Sequence, residues 1–149
     1  MIDKYELERF TREVVFDEEM LAFFVEVAAR ASSMYGEKFN WEKFDLYKYL
    51  RTGGFLFVCR KNKKPVGLCL AKLYFSVFDG ETKLLRHDLL YGEPGTKAGY
   101  LLFKAYLDFG KHNANHILGT IGEHTNINPR SLEKLGFKKL DTIFRLEIR

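Results

Sequence analysis

Residues 84–110 read LLRHDLLYGEPGTKAGYLLFKAYLDFG, and this stretch decides the predicted fold. Leu84–Tyr91 is an apolar run that predicts a strand, and Gly92–Gly99 is a glycine-containing turn. The apolar residues that follow recur at helical spacing and predict an amphipathic helix with one buried stripe; they are Ala98, Leu101, Leu102, Ala105 and Phe109. Gly110 is the predicted end of this helix, and Lys111 places a cation where the helix dipole favours one.

The turn before this helix has two interpretations. A strand that enters a glycine turn and then a helix leaves several backbone N–H groups free and pointing in one direction. Such a group of donors binds a phosphate or pyrophosphate. Alternatively, the glycines only allow a tight connection between the strand and the helix. This segment by itself leaves both interpretations open.

The composition predicts a single domain over residues 1–149 with one sizeable core. The chain is 46% hydrophobic and 30% charged, which is typical of a globular protein and argues against disorder. The net charge of +4 suits an anionic ligand or an acidic partner. It is too small to indicate nucleic-acid binding by itself, and no basic helix or RNA-binding motif is present.

Cysteine and histidine positions favour neither a disulfide framework nor a metal site. Cys59 and Cys69 lie in two apolar runs and are predicted to be buried thiols of a cytoplasmic protein. His112 and His116 have the spacing of helical metal ligands, but no third ligand completes a set, so we expect no metal. The N-terminal residues contain no apolar signal core, and no apolar run is long enough to cross a bilayer, so no membrane partner is expected.

The first half of the chain predicts a strand, two helices and a hairpin. Lys4–Phe10 is a weakly alternating strand, and Asp17 caps a helix that runs to about Tyr35. Asn40 is the predicted N-cap of a short second helix that ends at Gly53. Two strands follow, at residues 55–60 and 66–78, joined by a charged turn.

The second half completes the predicted order β, α, α, β, β, β, α, β, α, β. After the central helix come a short strand at Ile117–Ile121, a short helix at Pro129–Leu135 and one or two strands within Phe137–Arg149. The strand Leu84–Tyr91, the helix and the strand Ile117–Ile121 should form a parallel crossover. A ligand site is then expected beyond the carboxyl end of the strand that precedes the helix.

This order resembles that of the GNAT family of acyl-CoA N-acyltransferases over nearly the whole chain. Residues 94–102, PGTKAGYLL, resemble the family segment Arg/Gln-x-x-Gly-x-Gly/Ala, with Pro94 in place of the usual Arg or Gln and Lys97 in place of the first glycine. Residues 95–99, GTKAG, are closer to the Gly-x-basic-Ala-Gly variant of GNAT-like proteins of bacteriophages. Residues 128–137, NPRSLEKLGF, resemble the last family helix and its Leu-Gly-Phe ending, and this motif is the more specific.

The resemblance implies a mixed α/β (α+β) fold, with a central sheet of about six or seven strands and helices on both faces. It also implies transfer of an acetyl group from acetyl-CoA to an amine of a protein or small molecule. The strand would pair with the pantetheine arm, and the turn amides would hold the pyrophosphate. The coenzyme contacts implied in this way are Leu89, Leu90, Gly95, Thr96, Lys97, Ala98, Gly99, Tyr100 and Asn128.

The catalytic residues follow the family pattern less closely. Many members place a Tyr five residues before the Phe of the Gly-Phe ending as the acid, and this chain has Leu132 there. Either water or Ser131 protonates the thiolate, or catalysis is weak or absent. For the base, His124 and Glu123 lie in the loop where the acceptor is expected, although each residue taken singly is explained slightly better as part of a solvated loop. His87 and Asp88 point to opposite faces of a strand, so one of them is expected to face the acceptor.

Two functions therefore remain open from the sequence. One is an acetyl-CoA-dependent N-acetyltransferase. The other is a catalytically weak or inactive protein of the same fold that binds or inhibits a partner, a role suited to a phage protein. The departures at Pro94 and Leu132 favour the second function, and the retained glycine turn favours the first. Strands near the C-terminus in this fold often pair between copies, so a homodimer is also open.

Overall fold

The computed structural model describes residues 2–11, 16–34, 37–40, 44–119, 128–140, 146 and 148. The described elements, in chain order, are β1 (Tyr5–Phe10), α1 (Glu18–Met34), α2 (Leu46–Arg51), β2 (Gly54–Lys61), β3 (Lys64–Phe75), β4 (Lys83–Gly92), α3 (Ala98–Asn113), β5 (His116–Leu118) and α4 (Pro129–Lys134). Among these residues, none of the helices combines the length and the hydropathy that crossing a bilayer requires.

The sheet is mixed, as predicted. Strands β1 to β4 form an antiparallel meander in sequence order, and β5 pairs with β4 in parallel. The described residues contain five strands rather than the expected six or seven. Residues 137–140 form no strand, and most of the remaining C-terminal segment, together with residues 120–121 of the predicted fifth strand, lies outside the described residues.

Helices cover both faces of the sheet, because strand residues alternate between two apolar clusters. One cluster joins the sheet to α1 and α2 and includes Met20, Phe24, Leu46, Leu56, Val58, Leu68 and Leu70. The other joins the opposite face to α3 and includes Phe55, Phe57, Cys59, Cys69, Leu85, Leu102 and Tyr106. Both cysteines are buried free thiols, as the sequence predicted.

Two predicted helix boundaries were wrong. Helix α3 continues through Gly110 to Asn113. Gly110 is needed for packing instead of termination, because a Cβ there would lie 2.5 Å from Ile117 Cδ1 on β5. Helix α2 begins at Leu46 with Asp45 as its N-cap, not Asn40, because the Asp45 side chain accepts a hydrogen bond from the Lys48 N–H.

The chain divides into two compact units, residues 1–118 and residues 119–149. In the second unit, Asn128 caps α4 by accepting from the Arg130 N–H at 2.9 Å. The helix ends in a Schellman motif, since the Phe137 N–H donates to the Leu132 carbonyl, the Gly136 N–H donates to the Glu133 carbonyl, and Gly136 has φ +96°. This geometry explains the Leu-Gly-Phe ending.

Candidate functional site

Strand β4 extends beyond the described end of β5. The two strands are in register at Leu84, Leu85 and Arg86 of β4, and β5 ends at Leu118, opposite Arg86. Beyond Arg86, β4 pairs with β3 at His87 and at residues 89–92, and no described residue pairs with its other edge. Within the described part of the chain, the backbone N–H and C=O groups on this edge can therefore accept an extended chain that is not part of the sheet.

Tyr106 of α3 lies beside the described end of β5. Its fully buried side chain places the hydroxyl 3.0 Å from the Leu85 carbonyl of β4, and also within hydrogen-bond distance of the Leu118 carbonyl of β5. Burial raises the pKa of Tyr106, so its hydroxyl stays protonated and can donate its one hydrogen to either carbonyl. The side chain thus connects β4, β5 and α3.

A β-bulge at Asp88 follows immediately. Leu70 of β3 is opposite Leu89, and Ala71 is opposite His87, so Asp88 has no partner residue in β3. In a regular strand His87 and Leu89 would lie on the same face. The extra residue places them on opposite faces: His87 contacts Tyr106 on the α3 side, and Leu89 packs in the α1–α2 cluster. Asp88 also faces the α1–α2 side, where it meets Tyr49 of α2.

Two glycines bring the start of α3 against the sheet. A Cβ on Gly67 of β3 would lie 2.7 Å from Leu102 Cδ1 and 2.9 Å from Ala98 Cβ. A Cβ on Gly92, the last residue of β4, would lie 2.4 Å from Gly99 N. Side chains at these positions would push the helix away, so the glycines fix where its N-terminus lies.

The turn before α3 leaves backbone N–H groups without an acceptor among the described residues. The N-cap residue Lys97 makes no side-chain capping bond, and no acceptor within the described residues takes the N–H of Gly99 or Tyr100. Space beside Gly95 and Gly99 is open, since a Cβ at either would meet nothing within 4 Å. Gly95 has φ +81°, a conformation that favours glycine. This geometry suits an anion.

The other predicted coenzyme residues of the first unit lie in this turn or in the strand that leads into it. Leu89 and Leu90 face opposite sides of the sheet, in the α1–α2 and α3 clusters respectively. The Thr96 hydroxyl donates to the Glu93 carbonyl at 2.6 Å and accepts from the Ala98 N–H at 3.3 Å, which stabilises the turn. Lys97 and Tyr100 are exposed, while Ala98 is buried. Asn128 lies in the second unit as the N-cap of α4.

Two of the four predicted catalytic residues, His87 and Ser131, lie among the described residues. Glu123 and His124 lie outside the described residues. His87 is buried on the α3 side, and burial lowers the pKa of its imidazole, with Arg86 acting in the same direction and Asp88 opposing. Ser131 is exposed on α4, and the neighbouring Leu132 is buried and carries no proton donor.

Metal ligands are not clustered among the described residues. His112 lies in α3, with Nδ1 2.7 Å from the Asp108 carbonyl, whereas His116 lies in β5. Across the described ranges, no group of three or more His, Cys, Asp or Glu side chains could hold a metal ion.

A network around Asp88 is the feature that sequence reasoning missed. Asp88 Oδ2 accepts from the hydroxyls of Tyr49 and Tyr74, the latter at 3.2 Å, while Oδ1 accepts from Arg86 Nε at 3.1 Å. Burial and the nearby carboxylate raise the pKa values of Tyr49 and Tyr74, so both phenols remain donors. Strand alternation places Asp88 on the face opposite His87, as the sequence predicted, but its partners Tyr49 and Tyr74 come from α2 and β3 and are not marked by any local sequence signal.

Lys72 of β3 lies beside this network. Its Nζ donates to the Thr52 hydroxyl at 2.8 Å and lies 4.9 Å from the ring centroid of Tyr49. Lys72 is directly opposite Arg86 in the β3–β4 register. Two cations and one carboxylate therefore share the α1–α2 face of the sheet next to the bulge.

Comparison with solved structures identifies the architecture. One similar structure is an aminoglycoside acetyltransferase, meta-AAC0020 from an uncultured soil metagenomic sample, which was solved in complex with trehalose and with sisomicin. The protein in the trehalose complex is 15% identical to this chain, with 97% of each chain covered and a TM-score of 0.64. This chain has the fold of the GNAT acetyltransferases. The aminoglycoside N-acetyltransferase AAC(6')-Iy in complex with CoA is 10% identical, with 100% of this chain and 97% of that chain covered and a TM-score of 0.66.

A third GNAT-fold neighbour, an acetyltransferase of Trypanosoma brucei, is 15% identical, with 97% of this chain and 100% of that chain covered and a TM-score of 0.65. No protein-family profile and no curated protein sequence matches this chain. At these identities the GNAT likeness concerns the fold.

Proposed function

We propose that this protein is an N-acetyltransferase that transfers an acetyl group from acetyl-CoA to an amine. The observation that carries the proposal is the course of β4, which continues beyond Arg86 with no further partner in the described part of β5 and runs into the turn at the start of α3. One continuous strand thus connects an edge that no described residue pairs with to the N–H groups of Gly99 and Tyr100, which meet no acceptor among the described residues. The CoA-bound neighbour of the same fold supports the choice of coenzyme.

The residues of this chain would hold the coenzyme at two places. The free edge of β4 at Leu89 and Leu90 would pair with the amides of the pantetheine arm. The turn Gly95–Tyr100 would hold the pyrophosphate through backbone N–H groups, with Lys97 as a nearby cation. The space beside Gly95 and Gly99 in the turn is open to such a group.

Acetyl-CoA, when bound, supplies the acetyl group as a thioester. The protein must then deprotonate the acceptor ammonium and provide a proton for the leaving thiolate. Glu123 and His124 are the proposed bases, and Ser131 or water is the proposed proton source. Asp88 is poorly suited as a base because its two oxygens already accept from Tyr49, Tyr74 and Arg86. We assign Asp88 the role of positioning these three side chains.

Thermal unfolding with acetyl-CoA and with CoA tests the coenzyme site. A ligand at a hundred times its Kd adds about 2.7 kcal/mol to the free energy of unfolding. Gly99→Asp places a carboxylate in the open space where the phosphates would lie, so we expect it to abolish the shift. Gly99→Ala is the matched control and should retain the shift. No shift of the unmodified protein with either ligand would contradict the proposal.

A second function is favoured by one observation. Leu132 is buried and apolar at the position where many GNAT members carry the acidic Tyr. The protein would then bind acetyl-CoA without transferring the acetyl group and act as a binding protein. Once coenzyme binding has been demonstrated, an acetylation assay on a panel of amines distinguishes the two functions. Its readout is the free thiol of CoA, which is released when the acetyl group is transferred.

A further inference from the structure

We infer that the acceptor is a primary amine that also carries an anionic group, a carboxylate or a phosphate, which is bound by Lys72. The inference rests on the proposed function, because it places the acceptor next to the proposed coenzyme strand. Its basis is the arrangement of charge around Lys72, Arg86 and Asp88 on the α1–α2 face of the sheet.

The position of Lys72 follows from the strand register. Lys72 is opposite Arg86, the last β4 residue that pairs with β5, and next along β4 come His87 and the bulged Asp88. On its other side, Lys72 is opposite Gly54 of β2, which leaves room for the side chain of Tyr49. Lys72 therefore lies on the same face as the Asp88 network and beside the described end of β5.

The ammonium of Lys72 is held in place, but no carboxylate of the described residues neutralises it. Thr52 Oγ1 accepts from Nζ at 2.8 Å, and the rings of Tyr49 and Tyr74 lie 4.9 Å and 5.9 Å away. These contacts restrict a partly buried side chain without supplying a negative charge. Among the described residues, no carboxylate lies within ion-pair distance of Nζ.

The nearest carboxylate cannot neutralise both cations. Asp88 Oδ1 is 3.0 Å from an Arg86 guanidinium nitrogen, and the tyrosine hydroxyls occupy Oδ2. Counted over the described residues, the local charge is therefore positive by one, from Lys72 and Arg86 against Asp88. An anionic group on the acceptor would complete this arrangement through a charge-assisted hydrogen bond from Lys72.

The same charges disfavour a polycationic acceptor. Each ammonium group of an aminoglycoside needs an acceptor or a carboxylate in the site, and here the Asp88 oxygens are already used. A second ammonium near Lys72 and Arg86 would be repelled. The acceptor class thus differs from that of the aminoglycoside acetyltransferases that share the fold.

Matched pairs of amines test the inference. We would compare β-alanine with β-alaninamide and O-phosphoethanolamine with ethanolamine, and include sisomicin as the polycation. The measurement is kcat/KM at saturating acetyl-CoA. We expect the anionic member of at least one pair to be favoured by about 10-fold or more, since one charge-assisted hydrogen bond accounts for that ratio. The pair that shows the preference distinguishes carboxylate from phosphate.

Three variants connect the preference to Lys72. Lys72→Gln should reduce the anionic-to-neutral ratio by about 10-fold, and Lys72→Arg should restore part of it. Lys64→Gln removes the same charge from the exposed start of the same strand and should leave the ratio unchanged. A thermal shift with acetyl-CoA is measured on every variant to show that the coenzyme site is intact.

The possible outcomes distinguish a failure of the proposed function from a failure of the acceptor inference. No thermal shift with acetyl-CoA or CoA overturns the proposed function. Coenzyme binding without a preference for the anionic amines, or with a preference for sisomicin, overturns the acceptor inference and leaves the proposed coenzyme site standing. A preference that Lys72→Gln does not change overturns the assignment to Lys72.

Discussion

Gly92 at the end of β4 and Gly99 in the first turn of α3 lie in backbone contact. A Cβ on Gly92 would be 2.4 Å from Gly99 N and 2.7 Å from Gly99 Cα, whereas a Cβ on Gly99 would meet nothing within 4 Å. Gly92 must therefore be a glycine because the backbone of α3 lies against it, whereas Gly99 leaves open space beside the N-terminus of the helix. The two residues give the first prediction.

Gly92→Ala should destabilise the protein, because the new methyl group meets backbone rather than a flexible side chain. We expect a loss of about 1–3 kcal/mol in the free energy of unfolding, as for other overpacked sites. Gly99→Ala should be neutral or stabilising by up to about 1 kcal/mol, because alanine is the better helix former. Urea unfolding measures both; equal effects at the two positions would show that the close contact is not formed.

Tyr106→Phe tests the hydrogen bonds of the α3 tyrosine to β4 and β5. The ring packing is retained, but the carbonyls of Leu85 and Leu118 lose their hydroxyl donor. We expect a destabilisation of about 1–3 kcal/mol, the cost of leaving buried acceptors unsatisfied. Tyr100→Phe, at a side chain that is 70% exposed, is the control and should change stability little. Indistinguishable unfolding of the two variants would refute the role of the Tyr106 hydroxyl.

His87 predicts a dependence of stability on pH. Burial lowers its folded-state pKa below the ordinary value of 6.5, so the unfolded chain takes up a proton first as the pH falls. The free energy of unfolding should therefore decrease below pH 6.5, by at most about 1.4 kcal/mol per pH unit from this group. His87→Gln should flatten this part of the profile. A profile that His87→Gln leaves unchanged would contradict the assignment.

Tyr49→Phe removes the hydroxyl that joins α2 to Asp88 of the bulge. We expect kcat/KM for the acceptor to decrease by about 10-fold, because a hydrogen bond to a charged group contributes about 1.5–3 kcal/mol. The thermal shift with acetyl-CoA should persist, since Tyr49 lies apart from the glycine turn. Phe44, which packs against Tyr49, offers a control through Phe44→Leu, which changes packing without removing a hydrogen bond. A larger loss in this control would point to packing as the cause.

Asn128→Ala tests the cap of α4. The side chain accepts from the Arg130 N–H, so its loss should destabilise this short helix by about 1 kcal/mol. Amide hydrogen exchange of residues 131–135 reports the effect within the second unit. Asn128→Asp retains an acceptor and should preserve the protection. Faster exchange in both variants would mean that the side chain acts in some other way.

Much of the fold was predictable because its signals are local. The strand, turn and helix of residues 84–110, the Asp17 and Asn128 caps and the Leu-Gly-Phe ending each depend on neighbours in sequence. The error at Gly110 has a tertiary cause. This glycine resembles a helix stop in the sequence, but it is retained inside α3 because Ile117 of β5 packs against its backbone.

The sequence by itself determined the order of the elements, the two apolar faces and the glycine turn, since periodicity and turn chemistry act over a few residues. Only the tertiary structure decided which residues meet at the site. The bulge at Asp88 changes which side chains of β4 face α2, and the contacts of Tyr49, Lys72 and Arg86 join residues far apart in the chain. Strand pairing sets such contacts, and no spacing along the sequence encodes its register.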